Sequence, residues 1–217
     1  MKQKSTSFLL PILLLFAFLA WTLAIRTVDV QPIGPNGSSV GFAALNGWFH
    51  DLTGVHMTLY TITDWLGAVP FAICTFFGLL GLTQWIKRKS IAKVDADILI
   101  LGAFFLVVIA GYLFFEAFPI NYRTVLIEGR LEASYPSSTT LLVLSVIPAT
   151  VMQIGRRIKD QTTAKALRLA CWVFALFMVS ARLISGVHWL TDILGGILLS
   201  AGLVAWLKVC TALADKE

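Results

Sequence analysis

A polytopic, all-α bundle of six transmembrane helices is the fold this sequence predicts, and three observations carry that prediction. Of 217 residues, 58% are hydrophobic and 13% charged; a soluble domain carries about 25% charged residues. The apolar residues fall in several blocks of about 20, the length of a bilayer-spanning helix. The basic residues gather between alternate blocks. Lys2 and Lys4 precede the first, and Lys87, Arg88, Lys89 and Lys93 separate the second from the third. Arg156, Arg157, Lys159, Lys165 and Arg168 separate the fourth from the fifth, and Lys208 and Lys216 close the chain. These are thirteen of the seventeen Lys and Arg residues. Such alternation is the positive-inside pattern and places both termini in the cytoplasm. The net charge of +5 therefore reports orientation, with some attraction to anionic headgroups, and gives no reason to expect nucleic acid.

The chain reads as one integral membrane domain over 1–217, with spans at about 7–25, 65–86, 98–118, 138–154, 168–184 and 189–208. The first span follows MKQK as a signal peptide would, but no convincing small-x-small cleavage site follows, so it reads as an uncleaved anchor. Residues 26–57 form an outer segment. Its first part, IRTVDVQPIGPNGSS, has turn-forming Pro and Gly; its second part is moderately apolar, and Trp48 and Trp65 suit the headgroup level. A re-entrant or interfacial helix is expected there. Spans three and four are joined on the same side by a loop containing Arg123 and Arg130. Between spans five and six only ISGVHW intervenes, so Ser185 and Gly186 mark a local break. Cys74, Cys171 and Cys210 lie in or beside apolar blocks with no metal-ligand spacing. Gly195, Gly196, Gly102, Gly111 and Gly202 are expected at close helix contacts.

Four basic residues fall off the cytoplasmic pattern: Arg26, Arg123, Arg130 and Arg182. Positive charge on the outer side needs a reason. The same side holds Ser137, Ser138, Thr139, Thr140, His188 and Asp192. This inventory suits a phosphate group. Arginine presents a planar fork of donors to phosphate oxygens. Ser137 and Ser138, after Pro136, read as a helix start whose free N–H groups favour an anion. His188 and Asp192 are four apart, a same-face spacing on a helix. The carboxylate can then orient the imidazole and leave its other nitrogen as nucleophile or base.

Those residues carry a resemblance. Arg182-x5-His188-x3-Asp192, with Ser180 nearby, resembles the third signature of the type 2 phosphatidic acid phosphatase family, which is shared with vanadium haloperoxidases. Pro136-Ser137-Ser138-Thr139 resembles the second, Pro-Ser-Gly-His, and Asn121-Tyr122-Arg123-Thr124 the end of the first, Lys-x6-Arg-Pro. The resemblance implies a helical membrane lipid phosphatase that uses no metal or other cofactor and acts on a membrane lipid substrate at the outer face. It implies that His188 attacks phosphorus to give a phosphohistidine, with Asp192 orienting it. Arg123, Arg182 and the Ser137–Ser138 backbone would hold the phosphoryl oxygens, with Thr139 beside them and Arg130 helping to bind substrate.

Three positions depart from the family pattern. Thr139 replaces the histidine that protonates the leaving group, Glu116 the first-signature lysine and Thr124 its proline. Loss of a general acid costs about 10²–10⁴-fold when the leaving group needs a proton. A phosphate leaving group needs it less than an alkoxide, so a lipid diphosphate such as a polyprenyl diphosphate is the expected substrate, ahead of a phosphatidate-type monoester. His50, His56, Glu128 and Glu132 are candidates to replace the acid. The rival expectation is a weakened or inactive member that binds lipid headgroups or a protein partner through the same basic pocket. A solute transporter fits less well, because the polar residues cluster at one surface and no broken midplane helices are apparent.

Overall fold

The structure, a computed structural model, describes residues 7–215; Lys2, Lys4 and Lys216 of the charge pattern lie outside it. Among the described residues it is a helical bundle: α1 (Leu9–Thr27), α2 (Ala43–Thr53), α3 (Met57–Leu66), α4 (Ala68–Arg88), α5 (Ala96–Ala117), α6 (Ser138–Arg157), α7 (Gln161–Ile184) and α8 (Leu190–Ala214). Six helical rods are long and apolar enough to cross a bilayer, with α3 and α4 counted as one. The protein is a multi-pass membrane protein with the all-α fold expected. Isolated bridges such as Tyr122 with Ala133 pin loops together without forming a sheet.

α6 and α8 sit at the centre. α8 packs on α1, α6 and α5, and α6 packs on α7, α8, α4 and α5. The other spans turn most of their surface outward. On α1 the exposed side chains include Leu9, Leu13, Phe16 and Leu23; an apolar surface of this extent belongs in lipid. The inner core is continuous, running from Phe18 of α1 through Phe105 of α5 and Leu142 of α6 to Leu207 of α8.

Tyr135 anchors the polar end of that core. Its ring lies flat beside Phe18 at 6.2 Å and edge-on to Phe115 at 6.0 Å. Its hydroxyl is 2.7 Å from Thr22 Oγ1. A side chain at Gly195 would put Cβ 2.4 Å from the Tyr135 ring, so close packing explains that glycine. Gly196 and Gly202 are likewise crowded, by Thr140 and Leu15. Gly102 and Gly111 are not: they face open space. They lie on α5, and Gly102 lines an apolar groove between α4 and α5 with room for a side chain.

The outer segment folds more than its sequence suggests. After a short turn at Pro35–Gly37, α2 and α3 form two separate helices. Asp29 accepts from the Ala44 backbone N–H at 2.7 Å and so caps α2. Buried Asn46 ties α2 to the start of α8, donating to Thr191 Oγ1 at 2.9 Å. Gly67 joins α3 to α4 with helical backbone angles. At the opposite end, the basic residues meet carboxylates. Arg88 and Asp95 lie 2.7 Å apart, Arg157 and Asp97 2.8 Å apart, and Arg156 grips Asp215 with both terminal nitrogens.

Candidate active site

Two distant stretches of chain meet at the end of the bundle remote from the basic loops. The 118–137 connection is a short hairpin. Arg123 N–H donates to Glu132 O at 3.0 Å and Ser134 N–H to Asn121 O at 2.9 Å. Glu128 and Gly129 both take positive φ at its tip, the backbone that a tight two-residue turn requires. Sequence reading treated this segment as an undivided loop. Its first strand-like edge then bonds to the α7–α8 joint. Thr124 Oγ1 donates to Gly186 O at 2.6 Å, and Trp189 Nε1 donates to Tyr122 O at 2.8 Å. The family's proline cannot make the Thr124 bond, so the departure at this position has a structural use.

The joint itself depends on Gly186. Its φ is +67°, and a Cβ there would lie 1.8 Å from the Gly54 carbonyl oxygen. Ser185 O accepts from the His56 N–H at 2.9 Å. The α2–α3 connection, the hairpin and the α7–α8 joint therefore converge on one point.

His188 and Asp192 meet by a route other than the one their spacing suggested. α8 begins at Leu190, so His188 precedes the helix. Asp192 reaches back to cap the helix start, with Oδ2 accepting from the Trp189 N–H at 3.0 Å. Its Oδ1 accepts from Asn121 Nδ2 at 3.2 Å. The His188 Nδ1 stands 3.8 Å from Oδ2, beyond hydrogen-bond distance. This geometry leaves Nε2 as the nitrogen turned away from the carboxylate. Burial, aided by the charges of Arg182 and Arg123, holds the His188 imidazole well below the usual histidine value, so it is neutral near pH 7.

Arg182 is 1% exposed although it ends a transmembrane helix. Its guanidinium lies over the Tyr60 ring at 4.6 Å and donates to Thr63 Oγ1 at 3.1 Å. Asp64 Oδ1 is 3.7 Å away. Arg123 approaches the same Tyr60 ring at 5.3 Å, and its Nε is 3.1 Å from Glu132 Oε2. Both His188 ring nitrogens, Arg182 Nε and Arg123 Nη1 are buried with no hydrogen-bond partner. Unpaired buried donors are costly; a cluster of them suits an incoming anion.

Both arginines line an open cavity of about 580 Å³. Ser138 lines it too, in the first turn of α6. Ser137 is the buried N-cap of α6, and its N–H donates to Asp192 O at 3.0 Å. Thr139 faces a smaller side cleft of about 190 Å³ between α4 and α6, which shares Asp64, Tyr112 and Ser138 with the main cavity. Arg130 is exposed at the cavity mouth, past the hairpin tip.

The candidate replacement acids are dispersed. Glu132 is engaged with Arg123, and Glu128 is exposed on the hairpin tip. His50 packs against Trp189 at 5.6 Å, and His56 Nε2 is 2.9 Å from Thr53 O. Glu116 lines the cavity, while the carboxylate beside Arg123 is that of Glu132. Sequence reading missed Tyr60, Thr63 and Asp64. Thr63 and Asp64 are three and four residues after Tyr60, a spacing that puts them on one helical face and was the available signal.

Residues 112–215, which include Arg123, Ser137, Ser138, Arg182, His188 and Asp192, match the PAP2 superfamily. Over that stretch, just under half of the chain, the protein is similar to the PAP2 superfamily. Among solved structures, this chain resembles the first transmembrane PAP2 type phosphatidylglycerolphosphate phosphatase from Bacillus subtilis. The TM-score is 0.51 at 20% identity, and the match covers 95% of this chain and 96% of that one. At that identity the likeness concerns the fold. No curated protein shows a significant match to the chain. α3, which supplies Tyr60, Thr63 and Asp64, lies outside the stretch that matches the PAP2 profile.

Proposed function

We propose that this protein is a lipid phosphatase that removes phosphate from a lipid diphosphate or phosphate headgroup through a phosphohistidine at His188. One observation carries this reading: the His188 ring nitrogens and guanidinium nitrogens of Arg182 and Arg123 are buried without partners, and the charges of both arginines act on the imidazole. The arginines neutralise the phosphoryl oxygens, and the α6 N-terminus at Ser138 adds its dipole. The His188 Nε2 lone pair forms the P–N bond as the P–O bond to the leaving group breaks, its electrons departing with that oxygen. The positive phosphoimidazole is stabilised by Asp192. Water then attacks phosphorus, the P–N bond breaks with its electron pair returning to Nε2, and the proton lost by the water passes to solvent, which releases inorganic phosphate with the imidazole neutral again.

The substrate reading rests on Thr139. It occupies the place in the second signature where the family has a proton donor, and it lines the side cleft and not the cavity that the arginines line. Without that donor, a leaving phosphate departs more easily than an alkoxide, which favours a polyprenyl-type diphosphate over a monoester. The site lies at the end opposite the basic loops; with those loops in the cytoplasm and both termini beside them, it opens at the outer face.

Inorganic phosphate release from polyprenyl diphosphate, phosphatidate and phosphatidylglycerolphosphate tests this, with chelator present and His188→Ala as control. Chelator-resistant release that disappears in the variant supports the enzyme, and the diphosphate is expected to be the fastest. Release that survives His188→Ala overturns the mechanism. Headgroup binding with no release from any lipid favours the rival, a non-catalytic binding protein.

A further inference from the structure

The ring of Tyr60 takes up two guanidiniums that repel each other: Arg182 at 4.6 Å and Arg123 at 5.3 Å. Arg182 is buried, so water does little to screen that repulsion. The π-face of an aromatic ring attracts cations, and more strongly when they are desolvated. The rest of α3 adds to the hold. The Tyr60 carbonyl accepts from Arg182 Nη1 at 3.4 Å, Thr63 Oγ1 accepts from the same nitrogen at 3.1 Å, and Asp64 stands 3.7 Å from Nη2. Tyr60, Asp64, Arg123 and Arg182 all line the same cavity.

We infer that Tyr60 is a positioning residue for the anion site: its ring attracts both Arg123 and Arg182 and holds them at the cavity they line. A helix outside the PAP2-matching stretch thereby completes the phosphate pocket. The inference rests on the reading of that pocket as a phosphoryl site, and it concerns the ring, not the phenolic hydroxyl. Tyr60→Phe keeps the ring and is expected to behave as wild type. Tyr60→Leu removes the ring face and leaves the two guanidiniums uncompensated.

The probe is orthovanadate, a mimic of phosphoryl transfer, titrated onto the full-length purified protein in detergent, with binding read by calorimetry. The wild type and Tyr60→Phe are expected to bind alike, and Tyr60→Leu about tenfold more weakly. Pentafluorophenylalanine at position 60 keeps the ring's shape but reverses its face polarity. It is expected to weaken binding as Leu does, and it serves if Tyr60→Leu fails to fold. Equal vanadate affinity in the wild type and the pentafluoro variant overturns the inference while leaving the phosphoryl site standing. Absence of vanadate binding by the wild type overturns both. A loss in Tyr60→Phe as large as in Tyr60→Leu assigns the role to the hydroxyl and also overturns the inference.

Discussion

His188 Nδ1 and Asp192 Oδ2 stand 3.8 Å apart, near enough to attract but too far to hydrogen-bond. The carboxylate is already committed, to the Trp189 N–H and to Asn121. It therefore braces the joint, and in the proposed mechanism it is also the counter-charge for an imidazole that becomes positive.

The pH dependence follows. In the proposed mechanism, attack requires unprotonated His188. Its value lies well below the ordinary 6.5, through burial first and then through Arg182 and Arg123. The nucleophile is therefore fully available at pH 7 and is lost only as pH falls through the depressed value. The acid limb of kcat/KM is expected below pH 6.5. In Arg182→Gln, with one repelling cation removed, that limb moves to higher pH. A limb that stays put or moves downward contradicts the assignment.

Asn121→Ala strips Asp192 Oδ1 of its side-chain partner. A buried acceptor left unpaired costs about 1–3 kcal/mol, more when charged. Thermal unfolding in detergent should show the loss, and phosphate release should fall with it. Unchanged stability would mean that Asp192 is satisfied in another way.

Gly186→Ala forces a side chain into left-handed backbone, 1.8 Å from the Gly54 carbonyl oxygen. Something must move, and what moves is the contact between the α2–α3 connection and the α7–α8 joint. The cost is expected to exceed the ~1 kcal/mol typical of a compatible glycine substitution, and activity should drop below what stability alone explains. Protein yield, unfolding and turnover measured together would check this.

Thr139→His restores the residue type that the PAP2 pattern places there. If the missing donor sets the preference for a phosphate leaving group, activity on a phosphatidate-type monoester should rise at least about tenfold relative to a diphosphate, within the range of a general acid's contribution. An unchanged ratio would show that Thr139 does not determine substrate choice.

The sequence by itself determined the helical class, the six apolar rods and the sidedness of charge, because each follows from composition and spacing along one local stretch. It also exposed the arginines, the serine helix start and the His–Asp pair, since polar residues are conspicuous where lipid makes them costly. Only the tertiary structure decided how they meet. The His–Asp contact arises from a helix cap and not from a shared helical face, because α8 starts two residues after His188. Arg130 and Thr139 were drawn into one group with Arg123 by sequence proximity, yet the hairpin sends Arg130 to the mouth and the start of α6 turns Thr139 to the side cleft. Tyr60, Thr63 and Asp64 joined the site across more than a hundred residues of chain. Their spacing puts them on one helical face, but only packing of α3 against α7 tells which arginine it faces.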